Sequence, residues 1–210
     1  LDARSTVRRR DEVGVLAEAA NAMADALASR TSIERGTASI TRTLVDAKTL
    51  EDFASGLVRT LMAATRSEVG AFYVRNGNVF EHLASVGLQG VQLRSFSATS
   101  SEGELGRAVL ERSIIRTDEI PEGTCFTWKA VIGDAIPKEI VTVPLLGGEQ
   151  VKAVISLGSL RGYSSETEEV LKRSWPFMST ALSNVLASAD AKRFVLELQQ
   201  TNLELQAQGE

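Results

Sequence analysis

Two heptad seams, one near each end, constrain this chain more than any other feature. Val13, Leu16, Ala20, Met23 and Leu27 follow one another at alternating short spacings, the a/d pattern of a coiled-coil helix. Phe194, Leu198, Thr201 and Leu205 repeat that pattern close to the other end. Between them the sequence turns to β-branched runs punctuated by Asn, Gly and Pro. A chain patterned this way enters and leaves a globular unit through helices whose apolar stripes need a partner. The first seam fails at Arg30 and Glu34, and a second one (Ile33, Thr37, Ile40, Leu44, Ala47) resumes one residue out of phase. Such a displacement changes which face is apolar, and Gly36 weakens a helix by roughly 1 kcal/mol relative to Ala. The pattern therefore predicts a helix over residues 1–30 and a helical linker over 31–48. These helices either form an intermolecular coiled coil or pack as ordinary amphipathic helices on the domain that follows.

Residues 49–189 read as a mixed α+β unit. Thr49 is a helix N-cap, with Glu51 and Asp52 in the first turn where the helix dipole favours negative charge. Leu50, Phe53, Leu57, Val58, Leu61 and Met62 then form one apolar face. Val69–Val74 and Val79–Val86 flank Asn76-Gly77, the strongest short hairpin signal. A short strand follows around Leu93–Ala98, then a helix over Glu102–Arg112 and a strand at Ile114–Arg116. Glu119–Lys138 is loop-like, with two prolines and two glycines. Ile140–Leu146 and Val151–Leu160 form a second hairpin around Gly147-Gly148. From Ser164 the chain returns to helix, whose face runs through Val170, Leu171, Trp175, Met178, Leu182 and Val185, and Pro176 is expected to kink or interrupt it. The order predicts an antiparallel or mixed sheet flanked by helices.

Composition removes several functions. The 210 residues carry 23 Lys+Arg against 27 Asp+Glu, a net charge of −4, with no basic footprint for nucleic acid. One cysteine, Cys125, and one histidine, His82, rule out an internal disulfide, a Cys-rich zinc site and a His cluster. No stretch reads as a membrane span, and no signal-peptide layout is visible. The chain begins at Leu1 rather than Met and reads as an excised piece of a longer protein.

Arg10-Asp11-Glu12-Val13-Gly14-Val15-Leu16, followed by Asn21-Ala22-Met23, resembles the second helix of a HAMP domain, over about Arg8–Ser29. The middle of the chain resembles a GAF domain of membrane-attached hybrid sensor histidine kinases. The residues that carry this are Gly70-Ala71-Phe72-Tyr73-Val74, Gly103-Glu104-Leu105-Gly106-Arg107-Ala108, Ile115-Arg116-Thr117-Asp118-Glu119-Ile120-Pro121, Val143-Pro144-Leu145 and the stretch Ala153–Ser164. The tail Leu198–Gln206 is similar to the linker before the phosphoacceptor helices of such kinases, so residues 190–210 are expected to form a coiled coil toward a kinase.

The resemblance implies a bacterial two-component sensory module, the cytoplasmic portion of an inner-membrane protein, joined to the membrane only through an upstream segment. Its partners would be a second copy, the kinase domains of the same parent chain and an unidentified small-molecule ligand. No cofactor and no catalytic residue are expected. Cyclic-nucleotide-binding members show an Asn-Lys…Phe…Asp-Glu pattern that is missing here. Bilin-binding members attach the chromophore through a cysteine commonly followed by His, whereas Cys125 precedes Phe126, so it reads as an inert thiol. Phe96, Cys125, Phe126 and Trp128 are the ligand-pocket candidates, with plain core packing as the alternative. His82, alternating with Phe80 and Ala84 along its strand, reads as structural rather than as a haem ligand. Gly103-Glu104-Leu105-Gly106 lacks the spacing of a phosphate loop and reads as a helix start needing close backbone approach. Asp118-Glu119 reads as a solvated pair, and Arg8-Arg9-Arg10 as a solvated helix start rather than a lipid contact.

Overall fold

A computed structural model describes residues 12–88, 93–124, 126–130 and 133–208. Arg8 to Asp11 and Cys125 therefore lie outside the described residues. Helix α1 (Glu12–Asp46) leads into α2 (Leu50–Thr65), then strands β1 (Val69–Asn76), β2 (Val79–Val86) and β3 (Phe96–Ser97). Helix α3 (Gly103–Glu111), β4 (Ile115–Thr117), β5 (Trp128–Ala130) and β6 (Gly133–Ala135) follow. The chain closes with β7 (Glu139–Gly147), β8 (Gln150–Ser159) and α4 (Ser165–Gln208).

Six strands pair in the order β3-β2-β1-β8-β7-β4, every pairing antiparallel. Both hairpins turn where the sequence places them, with Gly77 and Gly148 at positive φ of 58° and 64°. Thr49 caps α2 by accepting the Asp52 N–H at 3.1 Å, and Ser164 accepts the Thr167 N–H at 3.3 Å to start α4. Period-two alternation divides β1 between two cores. Phe72 packs with Phe53, Leu57, Leu61, Ile155, Met178 and Leu182 under α1, α2 and α4. Ala71 and Tyr73 face the other side, with Phe80, Phe126, Ile140 and Val154 and with Leu105 and Val109 of α3.

Four sequence expectations change. First, α1 is one helix of 35 residues with no break near residue 30. Gly36 is a packing residue, because a Cβ there would stand 3.3 Å from Val170 and 3.8 Å from Ala64; its absence lets α1 lie close on α4 and α2. Second, the displaced seam is satisfied within the chain: Ile40 and Leu44 are buried, and Ile33 and Ala47 pack against the same core. Third, α4 runs unbroken through Pro176 for 44 residues. The ring sits on the exposed side of the helix, where water can satisfy the carbonyl that loses its donor. Fourth, the 119–138 segment contains a small ribbon, with Trp128 opposite Ala135 and Lys129 opposite Asp134.

Helices α1 and α4 run parallel. Gly36 meets Val170, and further along both helices Leu44 to Lys48 share a groove with Ala181 to Ser188. The front half of α1 and the tail of α4 therefore leave the domain at opposite poles. At 1.5 Å per residue they span roughly 50 Å and 65 Å.

Candidate functional site

The sheet face away from α1, α2 and α4 collects the aromatic side chains. Phe96 on β3 stacks on Phe80 of β2, centroids 4.9 Å apart and planes within 9°. It also stands edge-on to Tyr73 of β1 at 5.5 Å. Phe126 is buried and Trp128 half-buried in the same cluster. Of the four pocket candidates, Phe96, Phe126 and Trp128 thus come together; Cys125 lies outside the described residues. Tyr73 and Phe80 complete the group. The alternation of β1 and the hairpin register would have found them, since both sit on the same side of the sheet as Ala71.

His82 joins this face for a reason the linear pattern hides. The pairing of β1 with β2 slips between Phe72, opposite Ala84, and Tyr73, opposite His82. The extra residue, Leu83, sends Ala84 to the helix-side core, so His82 and Ala84 do not share a face as simple alternation predicts. The imidazole stands edge-on to Tyr73 at 5.7 Å, and its Nε2 is buried with no hydrogen-bond partner among the described residues. Burial pulls its pKa below the ordinary 6.5, against a backbone hydrogen bond at Ala84. At neutral pH this is a neutral ring.

Gly106 behaves as its motif predicts: a Cβ there would lie 2.6 Å from the Ser100 carbonyl oxygen and 2.9 Å from the Ser101 carbonyl carbon. It fixes how closely α3 sits on the preceding turn. Among the described residues no cluster of His, Cys, Asp or Glu has metal-binding geometry, and no helix is long and apolar enough to cross a membrane.

A polar joint ties the sheet to the start of α4. Glu139, at the first position of β7 and buried, accepts from the Arg116 guanidinium of β4. It also accepts the Tyr163 N–H at 2.8 Å. Arg116 reaches the Tyr163 carbonyl at 3.3 Å and Glu168 of α4 at 3.5 Å. The Arg116 pKa is raised, chiefly by its hydrogen bond to Glu139. On the far side of Tyr163 the phenol shares a hydrogen bond with Ser67 at 2.8 Å.

Burial lifts the Tyr163 phenol well above its ordinary 10.0, helped by the charges of Glu139 and Glu68 and opposed by the Ser67 bond. A raised acid favours the neutral form in the folded state. Its contribution to stability is complete below about pH 10 and is lost as pH climbs from there through the folded pKa. Denaturant midpoints measured across that range should fall for the natural chain. For Tyr163→Phe, less stable at neutral pH, they should fall less. Parallel alkaline slopes would contradict this assignment.

The predicted dimer residues lie as unpartnered stripes on the projecting helices. Val13, Leu16, Met23 and Leu27 are exposed, as is Ala20, and so are Phe194 and Leu198. The Leu205 side chain lies outside the described residues. Val195 and Leu196 are exposed too, so the apolar surface of the tail is wider than one seam.

A curled antiparallel sheet with a helix layer on one face and an aromatic cluster under α3 on the other defines a small sensory-domain architecture. The sequence profile of the GAF domain matches residues 47–183, and the chain belongs to that family. It is similar to the GAF domain of an Acinetobacter phosphoenolpyruvate-protein phosphotransferase, at 21% identity and TM-score 0.57, covering 77% of this chain and 93% of that one. The GAF domain of A. aeolicus nlh2, solved in an inactive state, matches at 18% identity and TM-score 0.55 over 77% of this chain and 99% of that one. Free methionine-R-sulfoxide reductase from Neisseria meningitidis, solved with its substrate, matches at 11% identity and TM-score 0.58, covering 90% and 99%. These likenesses establish the fold. No curated protein matches the chain in sequence.

Proposed function

We propose that this chain is the sensory relay of a two-component histidine kinase, a dimeric GAF domain that passes conformational change from α1 to α4. The observation that carries the reading is the continuity of α4. One helix holds Leu171, Met178 and Leu182 in the core and bears the exposed Leu198 beyond it. A shift in the domain therefore moves the tail as a rigid extension. Helix α1 supplies the matching input, since its buried half packs directly on α4 and its exposed half projects from the opposite pole. The HAMP-like residues Gly14 to Met23 lie on that projecting half, and a kinase attached beyond α4 would receive the output.

The experiment is light scattering on the purified chain. A dimer at high micromolar concentration is expected, and a monomer there would contradict the relay.

A small-molecule receptor is the second reading, favoured by the aromatic cluster and by the unpartnered His82 Nε2 beside it. An absorption spectrum and intact mass of fresh protein separate the two, a visible band or added mass favouring the receptor. Catalysis in the manner of a sulfoxide reductase meets a chemical obstacle. A thiolate that reduces a sulfoxide becomes a sulfenic acid, which a further thiol must return, and this chain has one cysteine.

A further inference from the structure

Nearly all the large hydrophobic side chains exposed among the described residues lie on α1 or α4; Val79, Leu110 and Ile136 are the exceptions. They are not scattered along those helices. At about 3.6 residues per turn, positions eighteen apart fall on one line, roughly five turns on. Leu27 is in line with Val45, and on α4 Phe177 is in line with Val195. The stripe on the front half of α1 thus continues along the flank of the domain and, on α4, out into the tail.

On that flank Val45 is 79% exposed and Phe177 56%. A groove of about 630 Å³ runs between them, lined by Thr41 and Val45 of α1 and by Phe177, Thr180 and Ala181 of α4. Val45 also borders a second groove of about 590 Å³, which holds Glu34 and Arg42 of α1 and Arg173 of α4. The floor residues are small, so another helix can approach closely. The rim carries both signs of charge, which suits a copy of itself better than a partner of single charge.

We propose that this α1–α4 flank is the surface on which a second copy of the chain packs, as a parallel pair with its two-fold axis along the helices. Phe177 of each copy seats beside Val45 of the other, and Arg173 faces Glu34 across the axis. Because α1 and α4 are parallel, this arrangement joins the input seam, the domain flank and the output seam into one continuous interface. It rests on the dimeric relay reading for the existence of a dimer and adds where that dimer is made.

Sedimentation equilibrium of Phe177→Glu and Val45→Glu tests it. Both positions are solvent-exposed within one copy, so each variant should keep the natural melting profile. Each should weaken dimerisation by at least about thirtyfold, as expected for a central anchor. Leu110→Glu, equally exposed but off this face, should dimerise like the natural chain. If both flank variants dimerise normally while Leu16→Glu or Leu198→Glu does not, the pairing is confined to the projecting seams; the flank assignment then falls and the relay stands. A natural chain that stays monomeric at every concentration overturns both.

Discussion

Replacing Glu139 with alanine is expected to destabilise the fold by about 3 kcal/mol. The carboxylate is only 6% exposed and serves two donors, the Arg116 guanidinium and the buried Tyr163 N–H. Alanine leaves that N–H without its acceptor, which alone costs roughly 1–3 kcal/mol. Arg116 is 43% exposed and keeps Glu168 within reach, so water and the second carboxylate soften the loss of its main partner. Glu139→Gln keeps an oxygen for the Tyr163 N–H and should lose about half as much. Chemical denaturation reads both. An alanine variant within half a kilocalorie of the natural chain would show that this cluster does not anchor the start of α4.

Phe72→Ala should cost more, about 3–5 kcal/mol, the range for removing a fully buried ring. Phe72 is completely buried on β1 and meets Phe53 of α2 edge-on, centroids 6.1 Å apart at 82°. It is a contact between sheet and helix layer in the core that also holds α4. Against a total stability of roughly 5–15 kcal/mol, alanine leaves the chain marginal. A melting midpoint close to that of the natural protein would mean that the core refills the cavity, and the rigid coupling assigned to this layer would be lost with it.

Much of the fold is legible because local chemistry decides it. Asn76-Gly77 and Gly147-Gly148 supply the positive φ that tight hairpins need. Thr49 and Ser164 supply oxygens for orphan N–H groups at helix starts. What sequence reading mistakes is decided by tertiary partners. Gly36 looks like a helix breaker, yet it is where α1 approaches Val170. The Ile33–Ala47 seam has coiled-coil spacing, but its partners are α2 and α4 of the same chain, and periodicity carries no label saying which helix will cover it. Pro176 looks like an interruption, but it falls on an exposed face.

The candidate site divides along the same line. Phe96, Phe126 and Trp128 are recognisable as aromatics near one segment, and they do meet. The place of His82 depends on a one-residue slip in the β1–β2 ladder, which has no signature in hydropathy. The Glu139–Arg116–Tyr163 joint joins residues far apart in sequence, and a lone Glu at a strand start gives no hint of it.

The central claim is that α4 transmits as one rigid helix, so its output must depend on phase. Each inserted residue rotates everything beyond it by about 100°, whereas seven nearly restore the original face. In the kinase-linked chain, one residue inserted after Ala191 should change autophosphorylation and its response to signal strongly, and seven at the same point should change them little. If both insertions leave activity and response alike, α4 is a passive tether and the relay account is wrong.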